Sequence, residues 1–376
     1  MNIRRVRIRV VALAIGLAAT VVACSDGGSR EAPVGPSPQP GGGGLTTPTA
    51  QSPSGDTQLN TLRPTLTVGN GGSGAGTRVY EFQISETSDF SSSATSHVAD
   101  YRVNVTRTGV AEGGSVTSFT PDADLQPATR FYWRARVSQG SDVSSWSATA
   151  QFRTQLVGFN VPGAMFDPLA GGETLGAIAG STTFTGASGL RVNSPVSWVR
   201  YQLASTLTTG IISVEVEGLE PNKPHEKARI FSMMDGGNNL FDSKFLFNVQ
   251  YRGIPGNPDN AISYKVLMGD SDLKYEPDFG QRAAGVRSLN PSTTYVWTAS
   301  WGSTFRLEVR EGGVNGPVIY ERSQSTPGFY NPAPHTAFLG ANDAAQESGS
   351  YAGATYRNFW VGSQPRPASL GSALNR

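Results

Sequence analysis

The sequence predicts an all-β chain in two domains, and three observations carry the prediction. Apolar and polar side chains alternate over many short stretches, as in Val79-Tyr80-Glu81-Phe82-Gln83-Ile84-Ser85 and Phe131-Tyr132-Trp133-Arg134-Ala135-Arg136-Val137. A period of two puts Tyr80, Phe82 and Ile84 on one face of a strand, and Phe131, Trp133, Ala135 and Val137 on one face of another. Between these stretches come breakers: 45 Gly and 24 Pro leave little room for helices. Composition agrees, because only 16% of residues are charged and the remainder is rich in Ser, Thr, Val and aromatics.

The amino terminus has a different character. Arg4, Arg5, Arg7 and Arg9 precede an unbroken run of apolar and small residues from Val10 to Val22, and Ala23-Cys24-Ser25 follows. A basic region, a short apolar region and a small residue before a cut predict a secretory signal over residues 1–23. The apolar run is too short to span a bilayer, which needs ~20 residues. Val21-Val22-Ala23-Cys24 resembles the bacterial lipobox. That resemblance implies cleavage before Cys24, lipidation of its thiol and anchoring in the bacterial cell envelope, with Ser25 favouring the outer membrane. Cys24 is the single cysteine, so no disulfide staples either domain. Removing four arginines and no acid from 30 basic and 29 acidic side chains leaves 26 against 29, a net −3. Such a balance offers no basic field for nucleic acid.

Residues 24–54 read as a flexible linker, with Pro33, Pro36, Pro38, Pro40, Gly41 to Gly44, Pro48 and Pro53 and almost nothing to pack. Alternating segments then define a first domain over 55–155. Pro64-Thr65-Leu66, Tyr80 to Ser85, Leu125-Gln126-Pro127-Ala128-Thr129-Arg130-Phe131-Tyr132-Trp133-Arg134 and Ser145-Trp146-Ser147 resemble a bacterial fibronectin type III-like module. The resemblance implies a β-sandwich that acts as a spacer, with Trp133 and Trp146 in its core. Phe131 stands where that family keeps a corner tyrosine.

Residues 156–362 make a second, larger unit. Ile211 to Gly218, Ala228 to Asp235, Lys244 to Arg252, Ala261 to Gly269, Thr294 to Trp301, Phe305 to Arg310 and Val318 to Glu321 alternate as strands. Only Asp278 to Val286 could hold a helical turn. Two large antiparallel sheets suit this size. Gly210 to Gly218, the run Tyr295-Val296-Trp297-Thr298-Ala299-Ser300-Trp301-Gly302 and the closing Ala354 to Gly362 resemble the concanavalin A-like lectin/glucanase fold, nearest to laminin G-like modules. This implies a jelly-roll β-sandwich. Ser363 to Arg376 reads as a disordered tail.

Glu215-Val216-Glu217-Gly218-Leu219-Glu220 resembles the Glu-x-Asp-x-x-Glu strand of that fold's hydrolases, where two carboxylates act as nucleophile and acid. The centre is Glu rather than Asp, the motif lies on an early strand, and Glu220-Pro221-Asn222 reads as a turn. Asn248-Val249-Gln250-Tyr251-Arg252 echoes a lyase strand but lacks a matching histidine. Asp270 and Asp272 could hold calcium in a loop; otherwise no cofactor is expected. The strand phase places Arg229 and Asp235, then Asn248, Gln250 and Arg252, then Lys265, on one polar side. Guanidinium and amide groups beside an aromatic ring are what a sugar-binding groove requires, and Tyr251, Tyr264, Tyr295, Trp297 and Trp301 are aromatics at hand, most of them in core phase. Three functions stay open: a non-catalytic glycan-binding module, a divergent glycoside hydrolase or lyase using Glu215, Glu217 and Glu220, and a protein-binding adhesin or structural envelope protein.

Overall fold

The computed structural model describes residues 45–72, 75–92, 98, 100–221, 228–235, 245–253, 259–268, 274–275, 285–326, 333–341 and 349–374. Cys24 and the segments around it, Asp270, Asp272 and residues 278–284 of the expected helical turn lie outside the described residues. No helix among the described residues is long and apolar enough to cross a membrane.

The first sandwich contains β1 (Thr49–Ser52), β2 (Thr57–Gln58), β3 (Leu66–Gly69), β4 (Val79–Ser85), β5 (Asn104–Ala111), β6 (Val116–Phe119), β7 (Arg130–Gln139), β8 (Asp142–Val143) and β9 (Ala150–Arg153). One sheet has the order β1-β3-β6 and the other β2-β9-β7-β4-β5, with β8 beside β7. Alternation works as expected: Tyr80, Phe82, Ile84, Phe131, Trp133 and Val137 are buried in one core. Because β1 pairs with β3, the sandwich begins ahead of residue 55, inside the expected linker. Trp146 departs from expectation as well. Its ring lies against the guanidinium groups of Arg134 and Arg136, each 4.4 Å from its centroid, outside the core.

At the start of this sandwich, Asp56 accepts hydrogen bonds from Arg130 Nε at 2.9 Å and from Arg153. The Arg153 hydrogen bond, aided by Arg130, outweighs burial and holds the Asp56 carboxyl down at about 2. A lowered folded-state value means stability that is present above the unfolded value and is lost as pH falls through about 2. Asp56→Asn is therefore expected to cost about 1–3 kcal/mol near neutral pH. The difference from wild type should shrink below roughly pH 4, as read by denaturant titrations across pH.

The second sandwich contains β10 (Phe159–Val161), β11 (Ala164–Asp167), β12 (Ala177–Ala179), β13 (Thr182–Phe184), β14 (Leu190–Val192), β15 (Trp198–Gln202), β16 (Gly210–Glu217), β17 (Arg229–Met234), β18 (Phe245–Arg252), β19 (Ala261–Met268), β20 (Lys274–Tyr275), β21 (Tyr295–Trp301), β22 (Thr304–Glu311), β23 (Val318–Ser325), β24 (Thr336–Gly340) and β25 (Thr355–Gly362). A nine-stranded sheet carries the path β10-β11-β25-β16-β21-β22-β23, with β13 and β14 joining at β25. A seven-stranded sheet has the order β12-β15-β24-β17-β18-β19-β20. All these pairs are antiparallel. Inward residues of both sheets, among them Val214, Trp297, Phe247, Tyr264 and Leu339, fuse into one core. The chain is thus all-β, a smaller sandwich followed by a two-sheet jelly roll.

Ser363 to Arg376, expected to be disordered, is ordered as far as Leu374. A short 3-10 turn spans Ser372–Leu374, and Leu370, Ala373 and Leu374 are buried. The segment has too little apolar surface to fold alone, and gains its order from what it packs against.

Candidate functional site

The phase of β18 sets the site. Phe245, Phe247, Val249 and Tyr251 point into the core, which sends Asn248, Gln250 and Arg252 to the outer face of the seven-stranded sheet. Register extends this face sideways. Asn248 stands opposite Lys265 on β19 and Ser232 on β17, and Gln250 opposite Ser263 and Arg229. A bulge between Arg229 and Phe231 lets Ile230 and Phe231 both enter the core while Arg229 stays across from Gln250. Ser232 is flanked by Phe338 on β24, and Phe338 by Arg200 on β15. One row of outer-face residues therefore runs Arg200, Phe338, Ser232, Asn248, Lys265.

The sequence-predicted set is largely brought together. Arg229, Asn248, Gln250, Arg252 and Lys265 share this face. Asp235 does other work at the end of β17, where its Oδ1 accepts the Phe245 backbone N–H at 2.9 Å and closes the β17–β18 ladder.

Burial distinguishes the face from an ordinary solvated sheet. Asn248 is 2% exposed, Gln250 5% and Ser263 1%, although all three lie on the side away from the core. Gln250 Nε2 donates to Asn248 Oδ1 at 2.5 Å. Among the described residues, Gln250 Oε1 and the neighbouring Ser263 Oγ have no hydrogen-bond partner. An unspent acceptor beside an unspent hydroxyl costs free energy, on the order of 1–3 kcal/mol for each group left unmet.

Sequence reasoning missed the aromatic of this face. Tyr251, Tyr264, Tyr295, Trp297 and Trp301 are all buried in the inter-sheet core. The outward ring is Trp198, half-buried on β15 between a carbon-lined neighbourhood of Met234, Phe338 and Leu267 and the sheet edge. Its cross-strand partner is Gly340, which has no side chain to cover it. Gly340 is required there: its φ is +83°, and a Cβ would meet the Ser350 Oγ at 2.2 Å. Strand spacing puts Trp198 and Gln250 about 14 Å apart across the sheet.

Glu215, Glu217 and Glu220 have a different setting. Glu215 lies on the outer side of the nine-stranded sheet, 4% exposed. Its Oε2 accepts from Arg357 Nε at 2.7 Å, and its Oε1 from Arg366 at 2.8 Å and Asn358 Nδ2 at 2.9 Å. Burial pushes this carboxyl up, but Arg366 and Arg357 together outweigh it and hold it below the usual carboxylate range. Glu217 follows on the same face. At Gly218, φ +84°, the chain leaves the strand, and a Cβ there would strike Gly353 O at 2.5 Å. Glu220 then falls in a turn where the Tyr351 hydroxyl bonds both its backbone N–H and its carbonyl at 2.8 Å. A cleft of about 900 Å3 adjoins Glu215, lined also by Thr294, Arg357, Asn315, Ser188 and Leu374. Among the described residues it has no aromatic lining, and Glu215, the carboxylate there, is bonded by Arg357 and Arg366. Among the described residues no three His, Cys, Asp or Glu side chains gather as metal ligands.

Residues 60–158 match the family of Rha78A-like N-terminal immunoglobulin domains, so the first sandwich is immunoglobulin-like. No curated protein matches the chain in sequence. Among solved structures, the VIP36 exoplasmic/lumenal domain in its Ca2+-bound form is 8% identical, with a TM-score of 0.33, covering 55% of this chain and 93% of that one. Tailspike protein 2 of the Escherichia coli O157:H7 bacteriophage CAB120 is 15% identical with a TM-score of 0.35, over 60% of this chain and 30% of that one. The α-L-rhamnosidase of Dictyoglumus thermophilum is 11% identical with a TM-score of 0.22, over 81% and 34%. At these scores the likenesses carry nothing about ligands, and the two-sheet architecture stands on this chain's own strand order.

Proposed function

We propose that this chain is a non-catalytic glycan-binding protein displayed on the bacterial cell envelope, and that the outer face of the seven-stranded sheet is its binding surface. The single observation that carries this is the juxtaposition of Gln250 Oε1 and Ser263 Oγ on residues opposite in register, both buried and both without a hydrogen-bond partner among the described residues. Polyhydroxylated ligands supply donors and acceptors at short intervals and suit such a floor. Trp198 gives the apolar ring on which a pyranose face can stack. A hydrolytic reading finds less support, because Glu215 is held as a structural anion by Arg357 and Arg366 and Glu220 lies beyond the end of the strand. Lipidation of Cys24 and an outer-membrane address complete the proposal, with the immunoglobulin-like sandwich as a spacer.

A second reading, a protein-binding adhesin, is favoured by Leu175 (49% exposed), Ile178 (43%) and Val196 (58%) near the short edge strand β12. Affinity electrophoresis of the full chain through gels containing different polysaccharides separates the readings, with reducing-sugar release measured alongside. Retardation without release is the expected result. Release of sugar would replace the proposal with the enzyme, and mobility unchanged in every gel would leave the adhesin.

A further inference from the structure

Two domains on one chain move relative to each other by default unless a large apolar interface joins them. Here the joint has an unusual third member. Val98 and Ala128 of the immunoglobulin-like sandwich, Phe159, Phe166 and Trp360 of the jelly roll, and Leu370 of the carboxy-terminal segment form one buried cluster. Leu370 is 1% exposed. Neither sandwich alone completes this cluster, because the carboxy-terminal segment sits in it with both.

Polar contacts run along the same segment. On the jelly-roll side, Arg366 donates to Glu215 Oε1 at 2.8 Å and to the Asn358 carbonyl at 3.4 Å. Trp360 Nε1 donates to the Gln364 carbonyl at 2.9 Å. On the other side, Ser369 Oγ accepts from Gln126 Nε2 at 3.1 Å, and Ser372 Oγ from the Arg130 backbone N–H at 2.9 Å. The backbone N–H groups of Gly371 and Ala373 both donate to the Ala128 carbonyl, and Arg153 donates to the Ala373 carbonyl at 2.6 Å. Arg153 also holds Asp56, so the network reaches the first residues of the sandwich. The inter-domain connection is pinned too, since Gln155 N–H donates to Thr61 O and Gln155 O accepts from Ala128 N–H.

We propose that residues 363–374 are a strap that locks the immunoglobulin-like sandwich and the jelly roll into one rigid body. The first half of the strap is fixed to the nine-stranded sheet and the second half to the immunoglobulin-like sandwich, with Leu370 as the shared apolar plug between them. The strap fixes the direction in which the jelly roll's sheets face relative to the immunoglobulin-like sandwich. Together with the pinned connection at Gln155, it makes the two sandwiches a single mechanical unit. This inference stands whether or not the jelly roll binds a glycan.

The test uses the full chain in detergent, with scanning calorimetry and small-angle scattering. Wild type is expected to unfold in one transition. Leu370→Asp places a charge in the apolar cluster and is expected to split unfolding into two transitions and enlarge the radius of gyration, with the β-sheet circular dichroism unchanged. Two independent transitions in wild type would overturn the strap, and so would one transition with an unchanged radius in the variant. Should Leu370→Asp not fold, the Ser369→Ala/Ser372→Ala pair decides through protease cleavage between Thr154 and Gly158. A several-fold faster cut supports the strap, and an unchanged rate overturns it.

Discussion

Glu215→Ala is expected to lower the unfolding free energy by about 3–5 kcal/mol and to leave polysaccharide binding where it was. The size follows from what the substitution leaves behind. Arg366 and Arg357, with side chains 8% and 22% exposed, would face each other with no carboxylate between them. A buried and a partly buried cation without a counterion cost far more than the loss of one hydrogen bond. Glu215→Gln keeps the shape and acceptor but removes the charge, and a smaller loss is expected. Because the folded state holds Glu215 below the usual carboxylate range, its contribution is present above that range and is lost as pH falls through its folded value. Guanidinium titrations of the three proteins at neutral and acid pH read all of this. A catalytic Glu215 predicts the reverse: little change in stability and complete loss of an activity.

The second large effect is on binding. Asn248→Leu/Gln250→Leu is expected to weaken retention by a polysaccharide at least tenfold, which is about 1.4 kcal/mol or more, while stability holds or rises. Among the described residues Gln250 Oε1 is buried and unmet, and the two side chains are joined through the Nε2 to Oδ1 bond. Replacing both partners of such a pair by apolar groups of similar shape is nearly neutral or stabilising. A loss of stability would instead mark Asn248 and Gln250 as structural. The opposite movement of binding and stability is the signature of residues kept for a ligand.

Strand phase made much of this legible before any coordinates. Asn248, Gln250, Arg252 and Lys265 fall outward because Phe247, Val249, Tyr251, Tyr264 and Val266 between them must fall inward. Sequence alone places Glu215 beside Glu217 on one face in the same way. What it hides is who stands opposite. Glu215 meets Arg357 only because β25 returns beside β16, a pairing between residues far apart in the chain. Trp198 escaped notice because Trp198-Val199-Arg200-Tyr201 has an aromatic in both phases, so alternation does not say which ring faces out. The neighbouring Gly340 that uncovers it comes from a strand more than a hundred residues later. The strap is illegible for a related reason. Leu370, Ala373 and Leu374 amid Ser, Pro and Arg give no period and no core of their own, and their burial exists only against two other surfaces. The module resemblance implies a core place for Trp146, whereas Arg134 and Arg136, two residues apart on β7, project outward together and take the ring.

The most direct test of a glycan-binding, non-catalytic face is an isothermal titration of wild type and Asn248→Leu/Gln250→Leu with the polysaccharide that retards the wild-type chain, followed by an assay of the cell contents for reducing ends. The expected result is saturable binding by wild type, at least tenfold weaker binding by the variant, and no new reducing ends. Equal affinity in both proteins, or sugar release that Glu215→Gln abolishes, would contradict the account.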